Sequence, residues 1–129
     1  MRVKSMHYDK TDVDVIYSDI PLDTPATYIG KFKVAIVDGT LSETEINKAM
    51  LHELGHATNH QNESSLYCST ASSRLKMEHE ADKFMVKELI NEYLLKNGVD
   101  AKDVNYQNFA DYNHLKDSSL VKDILKSNI

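Results

Sequence analysis

The sequence predicts an α+β protein: two short strands near the amino terminus, two long helices and a helical tail. Three observations lead there. "VDVIY" and "KFKVAIVDG" alternate with the two-residue period of a half-buried strand. "LSETEINKAMLHELGHATN" and "RLKMEHEADKFMVKELINEYLLKN" repeat their apolar residues at helical spacing. Residues that start or stop helices bound both long segments.

The first strand is expected over residues 13–17, closed by Pro21. "PLDTPATYIG" holds two prolines and a glycine, and reads as loop. The second strand lies within residues 31–39, with Phe32, Val34 and Ile36 on one face and Lys33, Ala35 and Val37 on the other. Lys31 and Lys33 suit a sheet edge, where lysine discourages further pairing. Asp38-Gly39 stops the strand. Ser42 with Glu45 three residues on forms a capping box, and Glu43 and Glu45 suit the positive end of a helix over residues 43–59. Residues 59–73 are small and polar, and read as a loop containing Tyr67 and Cys68. Ser72 or Ser73 is expected to cap the second helix, residues 74–97, which Asn97-Gly98 ends. Residues 98–129 read as one or two short helices.

The chain has 129 residues, 41% of them hydrophobic, which suits one domain with a core over about 10–97 and a helical tail beyond. A net charge of −5 argues against nucleic acid as the partner, because duplex affinity comes largely from clustered Lys and Arg. The single cysteine excludes an internal disulfide and fits a reducing compartment. The amino terminus lacks the apolar run of a signal peptide, and no stretch reaches the roughly 20 apolar residues of a membrane span. The expectation is a soluble, cytoplasmic protein.

The chemistry gathers at His52-Glu53-Leu54-Gly55-His56. Residues four apart on an α-helix lie about 40° apart around its axis. His52 and His56 therefore aim two imidazoles at one point, the spacing that two zinc–nitrogen bonds require. Glu53 stands on the flank, placed to act as general base on a water that the metal activates. Ile46, Ala49, Met50, Leu54 and Ala57 form the expected core stripe. Gly55 would let another segment or a substrate come close.

The metal needs a third ligand, and helix phase chooses between Glu78 and Glu80. At about 100° per residue, Glu78, Asp82, Met85, Leu89 and Tyr93 fall in one arc. Lys76, Glu80, Lys83 and Lys87 gather on the opposite, solvated side. Two carboxylates on an apolar stripe call for a cation. Glu78 is then the third ligand, and Asp82 accepts the distal N–H of a ligating histidine. His60 turns too far round the first helix to join them. His7 and His114 have no constellation around them. Asn59 and Asn62 stand where a three-histidine signature would need Gly and His, which excludes that class. Zinc is the expected ion, although manganese and iron also occupy sites of two histidines and a carboxylate.

His52-Glu53-x-x-His56 followed by Glu78-x-x-x-Asp82 resembles the thermolysin-like zinc peptidases. "VAIVDGTLS", "EINKAMLHELGHATNH" and "EHEADKFMVKELI" together resemble the ImmA/IrrE family of small metallopeptidases, over residues 13–95. That resemblance implies a compact zincin-like domain with a small mixed or antiparallel sheet and two ligand-bearing helices. It implies zinc on His52, His56 and Glu78, Glu53 as catalytic acid/base, and Asp82 behind the ligands. It also implies a protein substrate: a helix-turn-helix repressor of a phage or other mobile element, in bacterial cytoplasm. The chain departs from the family at Phe84-Met85, where Phe-Ala is frequent, and after Asn97, where nothing matches. The competing expectation is a non-catalytic zinc-binding or toxin component that acts by binding a repressor-type partner.

Overall fold

The computed structural model describes residues 4–60 and 71–127. It is an α+β fold. Four strands, β1 (Lys4–Tyr8), β2 (Val13–Ser18), β3 (Ala26–Ile29) and β4 (Val34–Asp38), form one mixed sheet in the order β1-β2-β4-β3. β1 pairs with β2 and β3 with β4 antiparallel, while β2 and β4 run parallel. Among the described residues four α-helices follow: α1 (Glu43–His60), α2 (Ala71–Asn97), α3 (Tyr106–Tyr112) and α4 (Ser118–Ser127). The chain divides into two compact units between Phe84 and Met85, within α2.

The first unit holds the sheet, α1 and the first half of α2. Val13 and Val15 of β2, Ala35 and Val37 of β4, Leu51, Leu54 and Ala57 of α1 and Ala81 of α2 are fully buried, with Met50 and Met77 nearly so. The inward face of β4 is therefore the Ala35/Val37 face, and Val34 and Ile36 lie on the other. Both faces of this interior strand are apolar, so the pattern could not choose between them. Lys33 precedes the strand at φ 51°, after a 3-10 turn at Gly30–Phe32, and Phe32 is exposed. The expected sheet edge near Lys31–Val37 is corrected: β4 lies between β2 and β3, and the edges among the described residues are β1 and β3.

β3 occupies the segment read as loop. Pro25 and Gly30 punctuate it, but four residues suffice when a ladder to β4 supplies the pairing. β1 was hidden by its polar residues. Its pairing changes the surroundings of His7, which lies opposite Asp14, 2.8 Å away, with Asp12 at 3.1 Å and Asp9 at 3.7 Å. His7 thus has a constellation after all. At the end of β4 the buried Asp38 carboxylate accepts the N–H groups of Leu22 at 3.1 Å and Thr40 at 2.9 Å and the Thr40 hydroxyl, which together hold it below the usual carboxylate range.

α1 starts as its cap requires. The Glu45 N–H donates to the Ser42 hydroxyl at 3.3 Å, and the Ile46 N–H donates to the Ser42 carbonyl at 2.8 Å. On α1, Leu51 joins the buried stripe while Ile46 and Ala49 are half-buried. α2 is already helical at Ala71, so Ser72 and Ser73 lie inside it rather than at its cap. Serine costs well under about 1 kcal/mol in a helix interior, too little to stop it. The expected loop at Tyr67 and Cys68 and the side chain of His60 lie outside what is described.

The second unit is helical. Val86, Leu89 and Ile90 of α2 are buried in it, as are Phe109 of α3 and Val121, Ile124 and Leu125 of α4. Tyr93 meets Phe109 edge to face at 5.4 Å. Gly98 ends α2 at φ 61°, and the Val99 N–H reaches back to the Leu94 carbonyl at 3.3 Å.

Candidate metal centre

α1 places His52 and His56 one turn apart, half-buried, with ring centroids 5.0 Å apart and planes at 84°. α2 brings Glu78 and Asp82 to them. The Glu78 carboxylate spans both rings: Oε2 lies 2.9 Å from His52 Nε2 and Oε1 lies 3.0 Å from His56 Nε2. His52 Nδ1 lies 2.8 Å from Asp82 Oδ1. Among the described residues, His52, His56 and Glu78 form a group whose donor atoms all lie within 4.8 Å of one another. Glu80 is not part of it.

The donor chemistry fits a divalent ion. Tetrahedral bonds of about 2.0–2.1 Å place ligand atoms roughly 3.3 Å apart, a few tenths of an ångström more than the two carboxylate–imidazole contacts. Both nitrogens of His52 face carboxylate oxygens, which accept and do not donate. Burial by itself would lower the pKa of this ring, but the Asp82 hydrogen bond and the charges of Asp82, Glu78 and Glu53 outweigh it, and the net shift is upward. The surroundings therefore favour a cation at His52, and a metal ion at Nε2 satisfies the same field as a proton there. The Asp82 contact engages Nδ1, whose N–H donates to the carboxylate, and leaves Nε2 as the nitrogen that could hold an ion.

Glu53 stands beside this group, half-buried. Burial raises its pKa and the charge of Glu78 adds to the rise, while the charge of His52 and the backbone N–H of Tyr28 oppose it. The net shift is upward, so Glu53 holds a proton more readily than a solvated glutamate. The Tyr28 N–H is a contributor that sequence reasoning missed. Tyr28 was read as loop, and a backbone donor has no signature in residue type.

One step in choosing Glu78 is corrected. The buried stripe of α2 runs through Met77, Ala81, Met85, Val86, Leu89 and Ile90, whereas Tyr93 is exposed. Glu78 and Asp82 stand at its margin, with side chains 39% and 47% exposed. The true stripe is rotated by about one residue from the predicted arc. The carboxylates therefore reach the histidines from the edge of the core, where water can also reach them.

An α+β fold with an H-E-x-x-H helix facing a carboxylate on a second helix defines a protein of metallopeptidase type. More narrowly, residues 5–112 match the family model of the IrrE N-terminal-like domain, Peptidase_M78, and the chain belongs to that family; the match runs past Asn97, where the sequence reading expected none, and takes in α3. No curated protein and no solved structure matches it. Among the described residues, no helix is long and apolar enough to cross a membrane.

Proposed function

We propose that this chain is a zinc-dependent endopeptidase that hydrolyses a peptide bond in a protein substrate, with a helix-turn-helix repressor of a phage or other mobile element in bacterial cytoplasm as the target class. The observation that carries the reading is the convergence of His52 Nε2, His56 Nε2 and the Glu78 carboxylate, with Glu53 alongside. Closed structural zinc sites use four protein ligands. Here three donors converge and a raised-pKa carboxylate stands next to them, which supports catalysis over a structural role. The repressor target and the compartment rest on family membership alone.

A zinc ion on His52, His56 and Glu78 would supply Lewis acidity toward the scissile carbonyl and the attacking water. Asp82 fixes the tautomer and orientation of His52. Glu53 accepts the proton of the attacking water and passes it to the leaving nitrogen; its raised proton affinity suits both steps. An extended substrate segment pairs with the edge strand β3, whose Tyr28 backbone already meets Glu53.

Two tests belong together. Metal content by mass spectrometry should give one zinc in the parent chain and in Glu80→Ala, and little in Glu78→Ala; loss in Glu80→Ala instead would overturn the ligand assignment. Manganese or iron in place of zinc would revise the ion but keep the donor set. Glu53→Gln should keep the metal and lose cleavage of a helix-turn-helix repressor substrate. Cleavage retained in that variant would remove Glu53 from the mechanism.

A further inference from the structure

His52 and His56 stand three residues before and one residue after Gly55; Glu78 and Asp82 stand three before and one after Ala81. The two helices thus present their pairs in the same phase about Gly55 and Ala81, and those two residues touch. A Cβ built on Gly55 would lie 2.8 Å from the Ala81 carbonyl oxygen, 2.9 Å from the Ala81 Cα and 3.1 Å from the Phe84 Cβ. Gly55 and Ala81 are both buried. The two nearest atoms are backbone, so no change of rotamer makes room.

We propose that Gly55 is a positioning residue for the metal group: by having no side chain, it sets the separation of α1 and α2 at which Glu78 spans both histidines and Asp82 holds His52. This rests on the metal-site reading above. The magnitudes support it. Ordinary contact begins at 3.4 Å, so a methyl group at position 55 would require the helices to part by about 0.6 Å. Metal–ligand distances are held to about ±0.2 Å. The displacement exceeds that tolerance and, applied to the three cross-helix contacts at 2.8, 2.9 and 3.0 Å, would carry them to about 3.4–3.6 Å, where they no longer hold as hydrogen bonds. Glycine also weakens a helix interior relative to alanine. In an unconstrained helix the replacement would therefore stabilise, and here the contact reverses the sign.

The test is zinc affinity of the full chain, by competition with a chromophoric chelator, together with far-ultraviolet circular dichroism of the metal-free protein. Gly55→Ala should keep its helical content and bind zinc roughly tenfold or more weakly, the loss typical of disturbing groups that orient metal ligands. A helical Gly55→Ala with unchanged affinity overturns the proposal. If Gly55→Ala loses its helical signal, Glu78→Asp decides, because it shortens the ligand arm by one methylene without touching the helix contact. A loss of similar size shows that the site depends on this spacing; unchanged affinity overturns the proposal. A parent chain that takes up no zinc overturns the metal-site reading and this proposal together. Zinc binding by the parent, matched by Gly55→Ala, overturns this proposal alone.

Discussion

His52 shows how much one side chain owes to its neighbours. Its partner on α1, His56, is visible in the sequence because the four-residue spacing is local. Its partners on α2 required a choice of helix phase, and the choice of Glu78 over Glu80 rested on an apolar arc that the fold rotates by about one residue. A histidine the sequence could not interpret is His7. It lies on an unread strand, and its three aspartates arrive through the turn and the pairing of β1 with β2. The Asp14 hydrogen bond leads in raising its pKa above 6.5, burial opposes, and the charges of Asp14, Asp12 and Asp9 add to the rise. A raised folded-state pKa stabilises below the unfolded value and loses that contribution as pH rises through the folded one. In the zinc-loaded chain, nuclear magnetic resonance should find His7 titrating above 6.5 and shifting down in Asp14→Asn. A His7 that titrates at or below its ordinary value would contradict the ion-pair arrangement.

Helices were more legible than strands. A helix carries its own start, period and stop, and the Ser42 cap and the Gly98 terminus sit where local chemistry places them. Replacing Ser42 by alanine removes the acceptor for the Glu45 N–H and should lower stability by about 1 kcal/mol, read as a shift in the urea midpoint with unchanged slope. No shift would mean that another group satisfies that donor. Strands β1 and β3 escaped notice because their existence depends on partners distant in sequence. Four residues between Pro25 and Gly30 carry too little pattern to announce a strand, and β4 supplies what they lack. The same non-locality misled the reading of β4. Its lysines suggested an edge, yet they belong to the turn before it, and the strand itself is flanked on both sides.

At the scale of the molecule, all the residues assigned to the metal group and its base belong to the first unit, residues 1–84. A ligand that binds the folded chain stabilises it by mass action, by about 2.7 kcal/mol at a free concentration a hundred times the dissociation constant. Zinc should therefore raise the melting temperature, a chelator should reverse the rise, and hydrogen exchange should slow in α1 and the first half of α2. Identical melting with and without zinc would count against a site in the folded chain. The α+β class, the extent of both long helices to within a turn, the His52/His56 pair and the flanking Glu53 were determined by the sequence itself, because helical periodicity and capping act within a few residues. Strand order, the inward face of β4, the Tyr28 N–H at Glu53 and the approach of Gly55 to Ala81 were decided only in the tertiary structure. Each of these depends on segments meeting across the fold, where packing distances and backbone hydrogen bonds, rather than residue type, set the outcome.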